Sequence, residues 1–347
     1  MNQKVWISAG GTGGHIYPAI AIYELLLKQG LSVTFIGGDQ NSMEQTICHE
    51  HQIHFHSTNN LKWLGWHKVF FWFSQLCSSL WDLFKLVRKE KPALILIMGG
   101  YPCITSGLIA IMTRTPLLLH EQNAVLGQTN RFFYHFIKEG FCAYKSLTKQ
   151  WPKLKCVGNP SSIIAIKKPN VYPNGTFNIL SFGGSGGAKQ LNELMMAVIK
   201  SELLNDCAFW LITGDQGEDI KLDHAAHIKI EKYNHKIEEA YQWADLAITR
   251  SGAMTLTELN LAGLPALFLP YPYATDNHQH VNASYYVKHG GALMCEQTPE
   301  RLVKQIKTIK DNKLNYNQMA KSMFKLIPQK NASKSIVDVL LRLVKEA

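Results

Sequence analysis

The sequence has few of the features that mark secreted, membrane-spanning or metal-dependent proteins. Its seven cysteines form no Cys-x-x-Cys pair, so they are expected to be reduced thiols in a reducing compartment. No uninterrupted apolar run reaches the roughly 18 residues that cross a bilayer; glycine, proline and arginine break the best candidate, residues 93–119. The apolar start of the chain is too short for a signal peptide, which favours a cytoplasmic protein.

Metal and nucleotide triphosphate motifs are missing too. No clustered spacing of His, Cys and carboxylates indicates a metal site, and the sequence contains no Asp-x-Asp. Neither of its glycine-rich loops ends in the Gly-Lys-Ser/Thr of a nucleotide triphosphatase. We therefore expect no tightly bound metal.

The composition describes an ordinary folded protein with an excess of positive charge. The 347 residues exceed what one core usually holds, so two domains are expected. The net charge of +10 indicates an anionic partner, which composition alone leaves open among nucleic acid, an anionic membrane and a phosphorylated substrate. No nucleic-acid-binding module is recognisable, and this argues against nucleic acid.

Short apolar runs alternate with amphipathic segments of helix length in two successive series. The first series has predicted strands at Lys4–Ser8 and Ala93–Met98, and the second at Phe177–Phe182 and Asp245–Thr249. Such alternation predicts parallel sheets with crossover helices. Turn-forming residues in 158–175 separate the series. We predict an α/β protein of two Rossmann-like domains facing a cleft.

Each half opens with a strand, a glycine-rich loop and a helix. The loops are residues 8–14 and 181–187. Backbone N–H groups that converge at a helix N-terminus form an anion site, typically for phosphate. A tight turn without a ligand is the alternative. A dinucleotide fingerprint is disfavoured, because Ile16 stands where that pattern requires its last glycine.

Three further groups of polar residues occur at predicted strand ends. His15 follows the first glycine loop, where it would serve as a general base or merely cap the helix. Glu258 lies one turn into the helix after Asp245–Thr249, where it would accept ribose hydroxyls or only complement the helix dipole. Residues 276–283 offer amide and imidazole groups suited to sugar hydroxyls, or a capped helix start.

Several short motifs occur together in one order. They are Gly10-Gly11-Thr12-Gly13-Gly14-His15, Gly99-Gly100-Tyr101, His120-Glu121-Gln122-Asn123, Gly158-Asn159-Pro160, Gly183-Gly184-Ser185-Gly186-Gly187, Arg250-Ser251-Gly252-Ala253 through Glu258, and His278-Gln279 to Asn282. In this order, over residues 10–283, the chain resembles the MurG family of N-acetylglucosaminyltransferases of peptidoglycan synthesis.

The resemblance implies the glycosyltransferase B fold and an inverting transfer of N-acetylglucosamine from UDP-N-acetylglucosamine to the muramoyl 4-hydroxyl of undecaprenyl-linked lipid I, giving lipid II. It implies an acceptor- and membrane-binding domain at 1–158, a UDP-sugar-binding domain at 159–330, and a helix at 331–347 that crosses back to the first domain. It implies no cofactor. The enzyme would work at the cytoplasmic face of the bacterial inner membrane.

The resemblance also implies roles for individual residues, with His15 as the catalytic base. The substrate-binding residues would be Thr12, Gly13, Gly14, Asn123, Ser185, Asn234, Ala253, Met254, Thr255, Leu256, Thr257, Glu258, His278, Gln279 and Asn282. Ser162 departs from the family, which commonly has Arg there to neutralise the donor diphosphate; Arg250 or Lys189 could replace it. The alternatives are a related UDP-sugar transferase or epimerase of this fold, and a non-catalytic scaffold that has lost donor binding.

Aromatic and basic residues are interleaved in 61–91. Aromatic rings suit the membrane interface and lysines suit anionic headgroups, whereas a helix with its rings in the core is the alternative. The predicted membrane-contacting residues are Lys62, Trp63, Trp66, Lys68, Phe70, Phe71, Trp72 and Lys85.

Overall fold

The computed structural model describes residues 4–346 apart from 41, 60–68, 164–174, 185, 218–226, 235 and 327–331. The chain forms two compact units. One comprises Met1–Ser162 with Asn331–Ala347, and the other Ile163–Lys330.

The first unit is built on a parallel sheet of seven strands in the order β3-β2-β1-β4-β5-β6-β7. The strands are β1 Lys4–Ser8, β2 Ser32–Gly37, β3 Phe55–Ser57, β4 Leu94–Ile97, β5 Leu117–Glu121, β6 Glu139–Cys142 and β7 Leu154–Cys156. The helices between them are α1 Gly13–Lys28, α2 Met43–Glu50, α3 Val69–Glu90, α4 Pro102–Thr113, α5 Gln128–Phe133 and α6 Lys145–Gln150, with a 3₁₀ turn at Tyr134–Phe136.

The second unit repeats this plan with six parallel strands in the order β10-β9-β8-β11-β12-β13. Its strands are β8 Phe177–Phe182, β9 Cys207–Ile212, β10 Ile228–Glu231, β11 Leu246–Thr249, β12 Ala266–Phe268 and β13 Ala292–Met294. Its helices are α7 Lys189–Lys200, α8 Ile237–Trp243, α9 Ala253–Ala262, α10 His278–Lys288, α11 Pro299–Asp311 and α12 Lys313–Lys325, with 3₁₀ turns at Gly214–Gly217 and Thr275–Asn277.

The central strands are apolar because helices cover both faces of each sheet. Val5, Trp6 and Ile7 of β1 are fully buried, although successive side chains point to opposite faces. The predicted α/β class, with two parallel-sheet domains, is confirmed.

The strand order places the candidate site residues. In the first sheet, β2 and β3 are added on one side of β1, and β4 to β7 are added on its other side, so the strand order reverses between β1 and β4. In the second sheet the order reverses in the same way between β8 and β11. Loops at the carboxyl ends of strands on either side of such a switch point diverge and leave a crevice, where ligands of open α/β sheets bind. Both glycine loops lie at these switch points.

The C-terminal helix, α13 Ala332–Glu346, belongs to the first unit and packs on α1. Its apolar side chains Ile336, Leu340 and Leu343 join the core cluster that contains Ile16 and Ile20. Lys138 pairs with Glu346 at 3.5 Å on the exposed side. Because exposed ion pairs contribute little, apolar packing is what holds this helix.

We therefore expect Leu340→Ala to lower the free energy of unfolding by about 2–5 kcal/mol, through lost burial and the cavity that remains. Urea denaturation followed by circular dichroism measures this loss. Asp338→Ala, at an exposed position of the same helix, is the matched control and should change stability by less than about 0.5 kcal/mol. Equal effects of the two substitutions would mean that α13 is not held by its apolar face.

Candidate functional site

The first glycine loop connects β1 to α1 and depends on a close approach of two backbones. Gly11 has a φ of +81° and Gly100 a φ of +90°, conformations that favour glycine. A Cβ on Gly100 would lie 2.1 Å from the Gly10 carbonyl oxygen. The carbonyl of Thr12 accepts from the amides of His15 and Ile16 and so starts the helix. Thr12, Gly13, Gly14 and His15 are thereby held together at the switch point.

The His15 ring is oriented by this loop. Its Nδ1 lies 3.0 Å from the carbonyl oxygen of Gly10 and 3.3 Å from Oγ1 of Thr12. Because a carbonyl only accepts, the Gly10 contact favours the tautomer with its proton on Nδ1, which leaves the lone pair on Nε2. Nε2 lies over Gly99, where a Cβ would come within 2.9 Å of it. This is the tautomer required for Nε2 to accept a proton.

Glu44 of α2 contacts the candidate site and was not predicted from the sequence. Its side chain is almost fully buried beneath the glycine loop. Oε1 accepts from the Gly38 amide at 2.9 Å and from the Tyr101 hydroxyl at 3.1 Å, while Oε2 accepts from the Gly11 amide at 3.4 Å. The carboxylate therefore uses an amide of the loop that was expected to face an anion.

No sequence signal identifies Glu44 as part of this site. It follows the N-cap Ser42, whose hydroxyl accepts from the Gln45 amide, and an acid in the first turn of a helix ordinarily needs no further explanation. Its contacts reach residues 33 and 57 positions away. Only the packing of α2 against the loop reveals its role.

The motif from His120 to Asn123 ends β5 and is organised by Glu121. Oε1 of this buried carboxylate accepts from the amide and the side-chain nitrogen of Asn123, at 3.0 and 3.2 Å. Oε2 accepts from the Gly127 amide and from Nδ2 of Asn130, both at 2.9 Å. Asn123 is therefore fixed in place by the carboxylate of Glu121, a residue of the same motif for which the sequence predicts no role.

His120 is fully buried and has a structural environment. Its Nε2 lies 2.9 Å from the carbonyl oxygen of Gly158, which connects the end of β5 to the turn after β7. Burial lowers the pKa of His120 to about 4, so the ring is neutral at pH 7.

In the second unit, the glycine loop after β8 closes in a turn in which the Gly187 amide donates to the Gly184 carbonyl at 3.0 Å. A Cβ on Gly187 would lie 2.4 Å from the carbonyl oxygen of Thr213, so the loop packs closely against the end of β9. Ser185, predicted to contact the donor diphosphate, lies outside the described residues.

The predicted nucleotide-binding residues form the first turns of α9. Ala253, Met254, Leu256 and Thr257 are buried, and Thr255 is half-buried. Four of these side chains therefore pack in the interior, and the part of the segment suited to a ligand is its backbone. As in any helix, the first-turn N–H groups have no acceptor within the helix, and the dipole makes this end positive.

Glu258 lies one turn further along α9, half-buried. The hydroxyl of the buried Tyr241, in α8, donates to its Oε2 at 2.6 Å. Burial raises the pKa of Glu258 to about 7, although the Tyr241 hydrogen bond opposes the shift. Tyr241 was not predicted from the sequence, since its partner is 17 residues away on another helix.

The segment that leads into α10 is tied to the start of α9. The Ser251 hydroxyl donates to the Gln279 carbonyl at 2.8 Å, and Nδ2 of the buried Asn282 donates to the Ser251 carbonyl at 3.3 Å. The Gln279 side-chain oxygen accepts from the Tyr271 amide at 2.9 Å. Nδ1 of His278 lies 2.7 Å from the Thr275 carbonyl oxygen. The predicted substrate-binding residues His278, Gln279 and Asn282 thus lie together at the start of α10, with Asn282 on the interior side.

Arg250 is buried and binds backbone carbonyls. One of its terminal nitrogens donates to the Leu269 carbonyl and to the side-chain oxygen of Gln297, each at 2.8 Å. Burial lowers the pKa of Arg250. The guanidinium joins the ends of β11 and β12, a different role from the diphosphate-binding cation considered above.

Asn234 follows β10, and its side chain is used locally. Nδ2 donates to Glu231 at 2.7 Å, and Oδ1 accepts from the Lys236 amide at 2.7 Å. Its backbone is the part suited to a ligand contact.

Four of the predicted membrane-contacting residues, Phe70, Phe71, Trp72 and Lys85, lie in α3. Phe70 and Phe71 are exposed, by 88% and 57%, as is Lys85, and Trp72 is half-buried. Lys62, Trp63, Trp66 and Lys68 lie outside the described residues. Within the described part of the chain, no helix is long and apolar enough to span a membrane, and no three His, Cys, Asp or Glu side chains cluster as metal ligands would.

The chain matches two family models and is similar to proteins of known type. The glycosyltransferase family 28 N-terminal domain matches residues 5–141 and the C-terminal domain residues 178–340. The UDP-N-acetylglucosamine--N-acetylmuramyl-(pentapeptide) pyrophosphoryl-undecaprenol N-acetylglucosamine transferase of Francisella tularensis subsp. tularensis (strain WY96-3418) is 35% identical, over 99% of this chain and 98% of that protein. The protein of the same name from Shewanella loihica (strain ATCC BAA-1088 / PV-4) is 31% identical, over 92% of this chain and 93% of that protein.

Solved structures show the same similarity. Acinetobacter baumannii MurG has a TM-score of 0.80 at 27% identity, over 98% of this chain and 99% of that one. A UDP-GlcNAc 2-epimerase from Neisseria meningitidis bound to UDP-GlcNAc has a TM-score of 0.65 at 15% identity, over 98% of this chain and 100% of that one. The second likeness concerns the fold alone.

The raised pKa of Glu258 predicts a pH dependence of stability. In the unfolded chain this carboxyl ionises near 4.5, and in the folded protein near 7. Between these values the folded state retains a proton that the unfolded state has released, so stability should fall as pH rises from about 4.5 to about 7. Glu258→Gln should remove this part of the slope.

Urea denaturation of the ligand-free protein from pH 4.5 to 8 measures this difference. Glu239→Gln, at an exposed position of α8, is the control and should track the wild type. If the wild-type and Glu258→Gln curves run parallel, the buried carboxyl does not titrate in this window.

Proposed function

The chain belongs to glycosyltransferase family 28, and from this membership we propose that it transfers N-acetylglucosamine from UDP-N-acetylglucosamine to lipid I. It is a hexosyltransferase of peptidoglycan synthesis, and its product is lipid II. One observation carries the proposal: the candidate residues follow the carboxyl ends of parallel strands in two sheets, in a chain similar over its full length to transferases named for this reaction.

The second unit binds the donor. The first-turn amides of α9 and the positive end of its dipole suit a diphosphate. Glu258, already held by Tyr241, accepts hydroxyl hydrogens of the ribose in its ionised form. Gln279 reads sugar hydroxyls with its amide group, while Asn282 holds α10 against the loop at Ser251. The backbone at Asn234 contacts the uracil.

The first unit supplies the base. The acceptor 4-hydroxyl attacks the anomeric carbon as UDP leaves, which inverts the configuration. Nε2 of His15 takes the hydroxyl proton, and the Gly10 carbonyl stabilises the imidazolium through Nδ1–H. Asn123, fixed by Glu121, orients the substrates.

Transfer of labelled N-acetylglucosamine from the UDP-linked donor to a lipid I analogue tests the activity. A labelled lipid II analogue is expected. An epimerase would convert the donor without any acceptor, and a scaffold that has lost donor binding would give no heat in a calorimetric titration with UDP-N-acetylglucosamine. Either of those results would overturn the proposal.

The assignment of His15 predicts a specific kinetic change. His15→Ala should lower turnover by about 10²–10⁴-fold and leave the Kd of the donor nearly unchanged, because a general base acts in the transition state. The wild-type rate should also fall in acid, where a protonated imidazole cannot accept the proton.

Steady-state kinetics, donor calorimetry and the melting temperature are measured together. His49→Ala, at an exposed histidine of the same unit, is the control. A His15→Ala protein that melts at a lower temperature but keeps normal turnover would make His15 a helix cap and require another base.

The lipid-linked acceptor places the enzyme at the cytoplasmic face of the inner membrane, and α3 supplies a surface for that contact. Phe70, Phe73 and Trp81 are 88%, 59% and 60% exposed. Lys85 lies 5.2 Å from the Trp81 ring centroid and Arg88 5.5 Å from that of Phe84. Exposed rings next to cations match the interface of an anionic bilayer, and the net charge of +10 adds long-range attraction.

We expect the protein to sediment with vesicles that contain anionic phospholipid and to dissociate as salt increases. Phe70→Ser combined with Phe73→Ser should weaken this binding, since apolar contact is lost. Leu314→Ser is the matched control, because Leu314 is 80% exposed on α12. Equal binding to neutral and anionic vesicles, or equal loss in the control, would contradict the role of α3.

A further inference from the structure

Cys142 and Cys156 face each other across two neighbouring strands. Cys142 ends β6, Cys156 ends β7, and the two are register partners in the parallel ladder. Adjacent strands lie about 4.7–4.9 Å apart, within the range of about 4.4–6.8 Å between Cα atoms that a disulfide spans. The Cys142 thiol donates to the Tyr144 carbonyl and the Cys156 thiol to the Ala143 carbonyl, both at 3.4 Å. Little backbone movement is needed to join them.

The two thiols have different environments. Cys142 is fully buried, and the neighbouring Cys156 thiol together with burial raises the pKa of Cys142. Cys156 is half-buried. The neighbouring Cys142 thiol lowers the pKa of Cys156 to about 7 against the effect of burial, helped by the Gly158 backbone and by Lys145. Since the thiolate is the reactive form, Cys156 is suited to attack an oxidant and Cys142 to resolve the product.

We propose that Cys142 and Cys156 are a modification site at which a peroxide forms a reversible disulfide. The Cys156 thiolate attacks one peroxide oxygen, the O–O bond breaks, and a sulfenic acid and one water result once the leaving oxygen is protonated. The Cys142 sulfur then attacks the Cys156 sulfur, the S–O bond breaks, and a second water leaves. Two thiols are oxidised by two electrons, and one peroxide is reduced to two waters.

The pair is connected to the site in the first unit. The Cys142 carbonyl accepts from the amides of Val157 and Gly158, at 3.0 and 3.3 Å. The Gly158 carbonyl lies 2.9 Å from Nε2 of His120. A disulfide would fix the spacing of the ends of β6 and β7 next to this turn. Its formation should therefore change the environment of the His120 ring, which contacts the Gly158 carbonyl.

Peptide mapping tests the disulfide without reference to any activity. The reduced protein is treated with hydrogen peroxide, blocked with N-ethylmaleimide and digested with trypsin, which separates the two cysteines by cleaving after Lys145 and Lys155. A linked Cys142–Cys156 peptide that disappears after dithiothreitol is expected. Oxidation confined to the exposed Cys77, or sulfinic acid at Cys156 with no linked peptide, would overturn the proposal.

Single variants test the order of attack. Cys142→Ser, which keeps a hydrogen-bonding group beside Cys156 but cannot form the disulfide, should accumulate a sulfenic acid at Cys156 that dimedone traps, whereas Cys156→Ser should give no such adduct at Cys142. Circular dichroism shows whether each variant is folded. If a variant is not folded, peptide mapping of the wild-type protein still tests whether the disulfide forms. A dimedone adduct on Cys142 rather than Cys156 would reverse the assigned roles.

NMR of the histidine rings tests the connection to the site. The His120 signal should shift between reduced and oxidised wild-type protein, and should not shift when Cys142→Ser is treated in the same way. An unchanged His120 signal in protein that carries the disulfide would show that the modification does not reach the Gly158 turn.

Discussion

In each unit the strands are added first on one side of the first strand and then on its other side. This reversal of strand order, next to β1 and β8, is the constraint on which the candidate sites depend. Parallel strands end at a common edge, so the loops after β1, β4 and β5 meet in the first unit, and those after β8, β11 and β12 meet in the second. Glycine is required where these loops touch. At Gly100, a single methyl group would collide with the Gly10 carbonyl.

Buried carboxylates organise the first of these edges. Glu44 and Glu121 are nearly inaccessible to solvent, a costly position for charge unless hydrogen bonds compensate for the lost water. Glu44 accepts three hydrogen bonds and Glu121 four. Glu44 joins segments that are separate in the sequence, whereas Glu121 holds together the turn that directly follows it. Glu44 therefore fixes the glycine loop that precedes His15, and Glu121 fixes Asn123 directly; such preorganisation suits the roles proposed for His15 and Asn123.

The second unit uses a cation for a similar purpose. Arg250 joins the ends of β11 and β12 through carbonyl oxygens, and in the proposed function helix N-termini meet most of the charge of the diphosphate. Lys189, the other cation considered for this role, lies exposed at the start of α7, 4.0 Å from Glu193. With Ser162 in place of the family Arg, the α9 amides carry more of the proposed diphosphate binding.

The sequence by itself determined the α/β class, the positions of the long strands and the two glycine loops, because these depend on local patterns of apolar residues and turn formers. β1 and β8 have the predicted bounds. The strands β3, β6, β7 and β13, of three or four residues each, were not predicted, since so short a segment has no periodicity of its own. The predicted strand Ala93–Met98 narrows to Leu94–Ile97. Only the tertiary structure decided that Glu44 reaches Gly11, that Tyr241 holds Glu258, and that Cys142 meets Cys156. These contacts join residues far apart in the chain, and strand order and helix packing, which no local pattern encodes, bring them together.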